Sequence, residues 1–581
     1  MHARPTITAP ALWWGQVRND GVRTPSPHVA FRPRNFLGVS DPAKMYSANG
    51  MIGPDGTIDE HQRDILENWF KRLGNGIASL VNDDPDTLNL ELPSGYAYLL
   101  QLIGHDIVDS VPSVAVPEIG ALDPLPPARL VIKNVRHQPL NLDTIYGAGP
   151  DEASFAYQPH GPGSDPTSPR VQLFLRTLPR PPHPTRRCAF HDFRRINTDP
   201  LIADPRNDAH AVLAQLTALF HLLHNQIVTL IGESEQHPHS RNEGLYRRYL
   251  CARTVVTLIY RNVIRQDVMK LILHPLIYDM YKDLRDPSQL LDRDDGVPLE
   301  FSHGAFRFGH ALVRSGYTIN SSVSLGIEDA IINTSQRALN EGPLGAAWLV
   351  DWARFFPLLV PDAPATQLDA GVNFTHKIGP RYSKSLRQHD VLPPKDPAQG
   401  QGLAYRDLRS AAYAGMWSVP ALCDELRERQ RLRDIVPEYA HWKPRIAEEL
   451  RGVFSDDAAA VEAIANDPPL PLFVLFEAAE AAARGKMPGH RLGAVGSILV
   501  AETIYGALLR HPIAFETAPT LTERIKHCCG ALLGDPHALS QAPRQPDLDL
   551  ATERNLEIEN MPQLLRFMAD NGAFADGPPP A

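Results

Sequence analysis

The chain has 581 residues and a net charge of −10, long enough for several cores and only mildly acidic, which speaks for solubility and little else. It carries no basic stripe of the kind a nucleic-acid groove needs, and no apolar run approaching the roughly 20 residues of a membrane span. Its five cysteines, Cys188, Cys251, Cys423, Cys528 and Cys529, are odd in number, scattered and without a CxxC pair, which argues against a disulfide framework or a zinc site.

Met1-His2-Ala3-Arg4-Pro5 opens the chain with no apolar core of signal-peptide type behind it, so the sequence reads as a cytoplasmic protein, with export lacking a cleaved signal left open. Apolar residues at three- and four-residue steps predict helices over 58–73, 97–109, 209–231, 246–273, 303–315, 344–355, 422–433, 472–484 and 491–510. Strand-like alternation is rare and short, with 172–175 a candidate ribbon. Proline-rich runs near 124–127, 179–184 and 393–397 read as surface loops on one large body, and 578–580 as a frayed tail. The fold class is therefore mainly α, with long irregular connections that carry function.

Three segments hold candidate chemistry. In the first, running from Tyr96 to Asp106, Gln101 and His105 are four apart and share a helix face, while Asp106 is turned about 100° away. A lone helical histidine is more often a core or surface residue than a catalyst. In the second, Asp204-Pro205-Arg206-Asn207 opens a long apolar helix, which Asp204 or Asn207 can cap; Arg206 alone would read as half of a surface ion pair. In the third, Phe306-Arg307-Phe308-Gly309-His310, glycine before histidine lets a flat group approach the backbone closely.

Read together, these segments resemble the animal-type haem peroxidases and their bacterial relatives in the peroxidase–cyclooxygenase superfamily. The order is Gln-x-x-x-His-Asp at Gln101–Asp106, Asp-x-x-Tyr-Gly at Asp143–Gly147, Asp-Pro-Arg-Asn at Asp204–Asn207, then Phe-Arg-Phe-Gly-His ending at His310. Leu92-Pro93-Ser94-Gly95-Tyr96 resembles the lead-in to the family's distal helix. His490-Arg491-Leu492-Gly493 followed by Val500-Ala501-Glu502 resembles its C-terminal helix. The similarity spans roughly 35 to 515, which implies a myeloperoxidase-like catalytic domain over 35–515, an N-terminal extension over 1–34 and a partly irregular C-terminal extension over 516–581.

The resemblance implies a role for each matched residue. His105 is the distal base that moves a proton from peroxide to the leaving oxygen. Arg206 stabilises the charge that develops there, and Gln101 holds water or a halide. His310 is the iron ligand and Arg307 pairs with a haem propionate. A calcium ion is implied near Asp106, the carbonyl of Pro139, Asn141 and Asp143. His137 stands there where the family has Thr, and Asn141 where it has Asp; an ordinary Asn/Asp turn is the alternative.

Departures from the family pattern narrow the expectation. Gly104 and Ala209 stand where mammalian members carry the carboxylates that bind haem covalently, and His210 where a methionine makes the third link. The implied cofactor is therefore a non-covalent haem b with little power to oxidise chloride. Arg307 occupies the position of the radical tyrosine of fatty-acid oxygenases, and Tyr317 is out of place for it. Asp407 occupies the slot of the asparagine that supports the proximal histidine; the alternative is a surface pair with Arg406 or Arg409. The expected function is a haem-b peroxidase that reduces hydrogen peroxide, oxidises a small organic or halide donor through high-valent iron and serves a response to oxidative stress. Two alternatives stand beside it: a haem oxygenase or dioxygenase acting on a fatty acid or specialised metabolite, and a haem-binding protein with little activity.

Overall fold

The computed structural model describes residues 34–574 apart from 40, 55, 77–87, 113–131, 135, 137–138, 161–167, 178–188, 197–198, 233–240, 321–322, 333–348, 357–370, 384–385, 387–401, 486 and 535–556. The proline-rich runs, His137, Cys188 and nearly all of the N-terminal extension lie outside the described residues.

The architecture is mainly helical, as the periodicity predicts. Its principal helices are α1 (Glu60–Gly76), α2 (Gly95–Ile107), α3 (Ala211–Ile231), α4 (Arg241–Val263), α5 (Leu403–Tyr413), α6 (Leu470–Ala483), α7 (Ala494–Arg510), α8 (Leu521–Leu533) and α9 (Met561–Asp570). Strands occur among the described residues only as two-stranded antiparallel ribbons, such as β1 (Leu88–Pro93) paired with β2 (Phe374–His376). Leu175 opens another, Leu175–Thr177 against His191–Phe193, so the candidate ribbon begins where 172–175 ends.

The core forms around α2 and α3, which are buried nearly all round. Along α2 every residue except Gln101, Gly104 and His105 is buried. Its first residue, Gly95, admits no side chain, because a Cβ would stand 2.4 Å from the Phe355 carbonyl oxygen and 2.5 Å from the Phe356 ring. Helix α3 is long and apolar enough by composition to cross a membrane, the one such single helix among the described residues, yet it lies mostly buried in protein. It is the inner helix of the fold, packed on α2 and α4.

Buried carboxylates fasten the later helices. Glu477 on α6 accepts from the backbone amides of Val495 (3.0 Å) and Gly496 (3.2 Å), the unpaired donors at the start of α7. Burial lifts its pKa to about 7. The described parts of 516–581 are packed as firmly. Helix α8 lies along α4, the Met561 amide donates to Asp267 (3.0 Å), and Gln226 on α3 donates to the Met568 carbonyl (3.0 Å).

Several boundaries differ from expectation. The helix expected over 303–315 is a wide π turn, Glu300–Gly304, followed by a tight 3-10 run, Ala305–Leu312. Gly304, at φ −115° and ψ −100°, interrupts regular helix at their junction, and Leu470 fills the space beside it. The helix expected over 246–273 starts earlier, as α4, and passes through a π turn at Ile264–Val268. Of the helix expected over 344–355, the described part is only a short turn, Trp352–Arg354, capped by Asp351. Helices at Lys443–Arg451 and Ala458–Asn466, together with α5, α8 and α9, were not expected from periodicity.

Candidate functional site

Helix α2 delivers His105 half-buried at its C-terminal end, with its ring fixed by a short relay. Asn207 donates its amide nitrogen to the Thr144 hydroxyl (2.8 Å) and carbonyl (3.2 Å), so its oxygen faces away from Thr144. That oxygen lies 2.8 Å from His105 Nδ1. An amide oxygen only accepts, so Nδ1 carries the proton and Nε2 keeps its lone pair. Burial, reinforced by the nearby Arg206 charge, lowers the His105 pKa to about 4 against the opposing effect of Asn207. His105 is thus a neutral base at ordinary pH. Asn207 entered the sequence reading as a helix cap and as the end of the Asp-Pro-Arg-Asn motif, not as a partner of His105; Thr144 carried no signal at all.

Gln101 shares that face of α2, as its spacing predicts, and is oriented by His210. The ring of His210 caps α3, its Nδ1 accepting from the Leu213 amide (3.2 Å). Its Nε2–H therefore donates to the Gln101 side-chain oxygen (2.7 Å), which leaves the amide N–H groups of Gln101 as the outward donors. Full burial holds the His210 pKa near 3, so it stays a neutral donor.

Arg206 is placed differently from the expectation. Its guanidinium donates to the backbone carbonyls of His105 (3.0 Å) and Val108 (2.7 Å) and to the Asp204 carboxylate (2.6 Å). Asp204 also pairs with Arg136, which donates to the His105 carbonyl as well (3.0 Å). The unpaired carbonyls at the end of a helix attract cations, and Arg206 and Arg136 satisfy that need at α2. Arg206 therefore reaches His105 through its backbone and by charge, rather than as a free donor beside Nε2.

On the opposite segment, the 3-10 run presents His310. Its Nδ1 lies 2.6 Å from Asp407 on α5, so the carboxylate holds a proton on Nδ1, and Nε2 is the nitrogen that has no hydrogen-bond partner among the described residues. Asp407 is buried, not paired on the surface with Arg406 or Arg409; it accepts a second bond from the Tyr382 hydroxyl (2.9 Å) on the same oxygen. Burial alone would raise its pKa, but His310, Arg307 and Tyr382 outweigh that and hold it below the ordinary carboxylate value. Arg307 donates to the Ser302 carbonyl (2.9 Å) and stands 3.6 Å from Asp407, so its charge faces the proximal carboxylate, where a propionate partner was expected. Tyr382 was not legible in the sequence.

These residues fit a haem. Two imidazoles, each anchored at Nδ1, leave Nε2 without a hydrogen-bond partner among the described residues. The two segments that carry them touch: a Cβ on Gly104 would meet the Phe306 ring at 3.1 Å. Beside His310, Gly309 has no atom within 4 Å of where a Cβ would stand, leaving room for a flat group. His224, a second possible ligand, has both nitrogens engaged, with the Tyr146 hydroxyl (3.2 Å) and the Val171 carbonyl (2.8 Å).

The loop expected to hold calcium does not fit that ion. Asp106 accepts from the backbone amides of Leu142 (2.9 Å) and Thr144 (3.2 Å), Asp143 accepts from Arg253 (2.9 Å) and Asn141 (3.3 Å), and the Pro139 carbonyl faces Arg261. No group of three or more acidic, histidine or cysteine side chains suited to a metal occurs among the described residues.

Residues 143–345 match the family model described as animal haem peroxidase. Among solved structures, peroxidase A from Dictyostelium discoideum is similar at 15% identity, over 82% of this chain and 90% of that one, with a TM-score of 0.49. The fatty acid α-dioxygenase of Oryza sativa is similar at 15% identity, over 84% and 82%, with a TM-score of 0.46. That of Arabidopsis thaliana is similar at 13% identity, over 90% and 89%, with a TM-score of 0.47. No curated protein matches the chain.

Proposed function

We propose, from the match of residues 143–345 to the animal haem peroxidase family model, that the chain is a haem-b peroxidase that reduces hydrogen peroxide and oxidises a small donor. One observation carries the reading: His105 and His310, on segments packed together, both have the Nδ1 proton held by an acceptor and Nε2 without a hydrogen-bond partner among the described residues. A proton-transferring base and a metal ligand each need that tautomer.

His310 would hold the iron and His105 would face the peroxide. When bound, the haem supplies the electrons that cleave the O–O bond. His105 takes a proton from peroxide at Nε2 and returns it to the departing oxygen, a role suited to a base that is neutral above about pH 4. Gln101, fixed by His210, offers an N–H to an oxygen or halide held beside His105. Asp407 draws the His310 proton toward itself, which raises the electron donation of Nε2. Arg307 at the position of the oxygenase tyrosine supports the peroxidase reading over fatty-acid oxygenation. The test is a paired assay on haem-loaded protein. Peroxide-dependent oxidation of a phenol without oxygen uptake on a fatty acid is expected; the reverse would make the oxygenase the better account.

A further inference from the structure

The loop beside the distal helix has the carboxylates of a cation site, yet protein cations stand at it. From this we infer that Arg253 and Arg261 together occupy the role of a bound metal ion, and that the protein folds and works without calcium. The inference does not rest on the peroxidase reading.

Both arginines come from one face of α4, where positions eight apart lie two turns along the same stripe. Both are buried at 2% exposure. Arg253 donates to the Asp143 carboxylate (2.9 Å) and lies 5.0 Å from the centre of the Tyr146 ring. Arg261 donates to the Leu140 carbonyl (2.8 Å) and reaches that of Pro139 (3.5 Å). Its charge is balanced by Glu516, 2.7 Å away, just before α8. The backbone is shaped to match: Leu140 and Leu142 both take left-handed conformations, φ 62° and 56°, a strained choice for leucine. The strain turns the Leu140 carbonyl toward Arg261 and the Leu142 and Thr144 amides toward Asp106.

Calcium needs six to eight oxygens around one point. Here one Asp143 oxygen and the two carbonyls are committed to guanidinium groups, and both Asp106 oxygens to amides. An added divalent ion would also meet two buried positive charges in a medium that screens poorly. Asp106 follows His105 directly, so the network does what a structural ion would do: it ties the end of the distal helix to the 139–144 loop.

Two measurements on the full wild-type chain test this. Elemental analysis of the purified protein should find no stoichiometric calcium. Thermal melts should superimpose in EGTA and in millimolar calcium chloride. Calcium bound one-to-one, or a melting temperature that falls in EGTA, would overturn the inference. A variant adds the positive arm: Arg253→Gln should melt well below wild type, and a wild-type melting temperature for it would equally overturn the assignment. If that variant does not fold, the two wild-type measurements still decide.

Discussion

The Nδ1 of His310 lies 2.6 Å from the Asp407 carboxylate, so a buried negative charge backs the candidate iron ligand directly. Tyr382 donates to the same oxygen and draws off part of that charge.

Opposite substitutions should therefore move the iron in opposite directions. Asp407→Asn weakens electron donation from His310 and should raise the midpoint potential of the haem-loaded protein. Tyr382→Phe leaves the oxygen to His310 alone and should lower it. Loss of such a supporting contact costs on the order of 10–100-fold in affinity or activity. Redox titration of the three proteins measures the shifts; equal potentials would remove Asp407 from the proximal role.

The peroxide step should lose speed on the acid side only as His105 gains its proton. Its pKa is lowered to about 4, first by burial and then by Arg206. The rate should thus hold from neutral pH down to roughly 5 and fall through about 4. Arg206→Ala removes a repelling charge, so the fall should move to higher pH. His105→Ala should slow the step by roughly 10²–10⁴-fold and abolish this limb. Stopped-flow mixing with peroxide reads all three, and a His105→Ala protein with the wild-type profile would end the assignment.

Asn207 should matter to the same step without touching peroxide. Asn207→Leu removes the acceptor that keeps the His105 proton on Nδ1. The ring can then place its proton on Nε2, and a slowing on the order of tenfold or more is expected. Thr144→Val, which frees the Asn207 amide to turn, should show a milder form of the same defect. Haem content and melting temperature, measured alongside, separate this from unfolding.

Haem should come away whole from denatured protein. Gly104 and Ala209 have no carboxylate to form an ester, so acid–organic extraction should leave none on the polypeptide. Retained haem absorbance on the precipitated chain would contradict this.

The start of α2 should tolerate no side chain. Gly95→Ala would drive a methyl group into the Phe355 carbonyl and the Phe356 ring. Overpacking of this kind costs about 1–3 kcal/mol. Chemical denaturation should show the loss with an unchanged slope.

Much of this site is legible in the sequence because its parts are local. Gln101 and His105 share a face by helical geometry alone, and His310 could be placed by the resemblance that the Phe-Arg-Phe-Gly-His segment carries. Asp407 could be placed by resemblance, but its burial and its bond to His310 depend on α5 crossing the 3-10 run, a contact between residues 97 positions apart. Tyr382 and Thr144 gave no signal, and Asn207 gave none of its bond to His105, because an orienting residue is defined by the atom it faces and not by its type or spacing. The calcium expectation leaves the arginines out for a related reason. Asp106, Asn141 and Asp143 are visible as a set, whereas the guanidiniums that meet Asp143 and the Leu140 carbonyl come from α4, more than 100 positions further on.

The contact between Glu516 and Arg261 bears on how the chain can be divided. A cut placed after 515, where the resemblance stops, would strand Arg261 inside the protein with no counter-ion. Breaking a buried pair in this way costs roughly 3–5 kcal/mol, a large share of the 5–15 kcal/mol that holds a typical domain together. It would also strip α8 from α4 and lay open Cys251, whose sulfur packs 3.8 Å and 3.7 Å from those of Cys528 and Cys529. The candidate site segments would all remain in such a fragment, but the fragment would be prone to aggregate and to cross-link through the uncovered thiol. What looks like a tail is the last layer of the core.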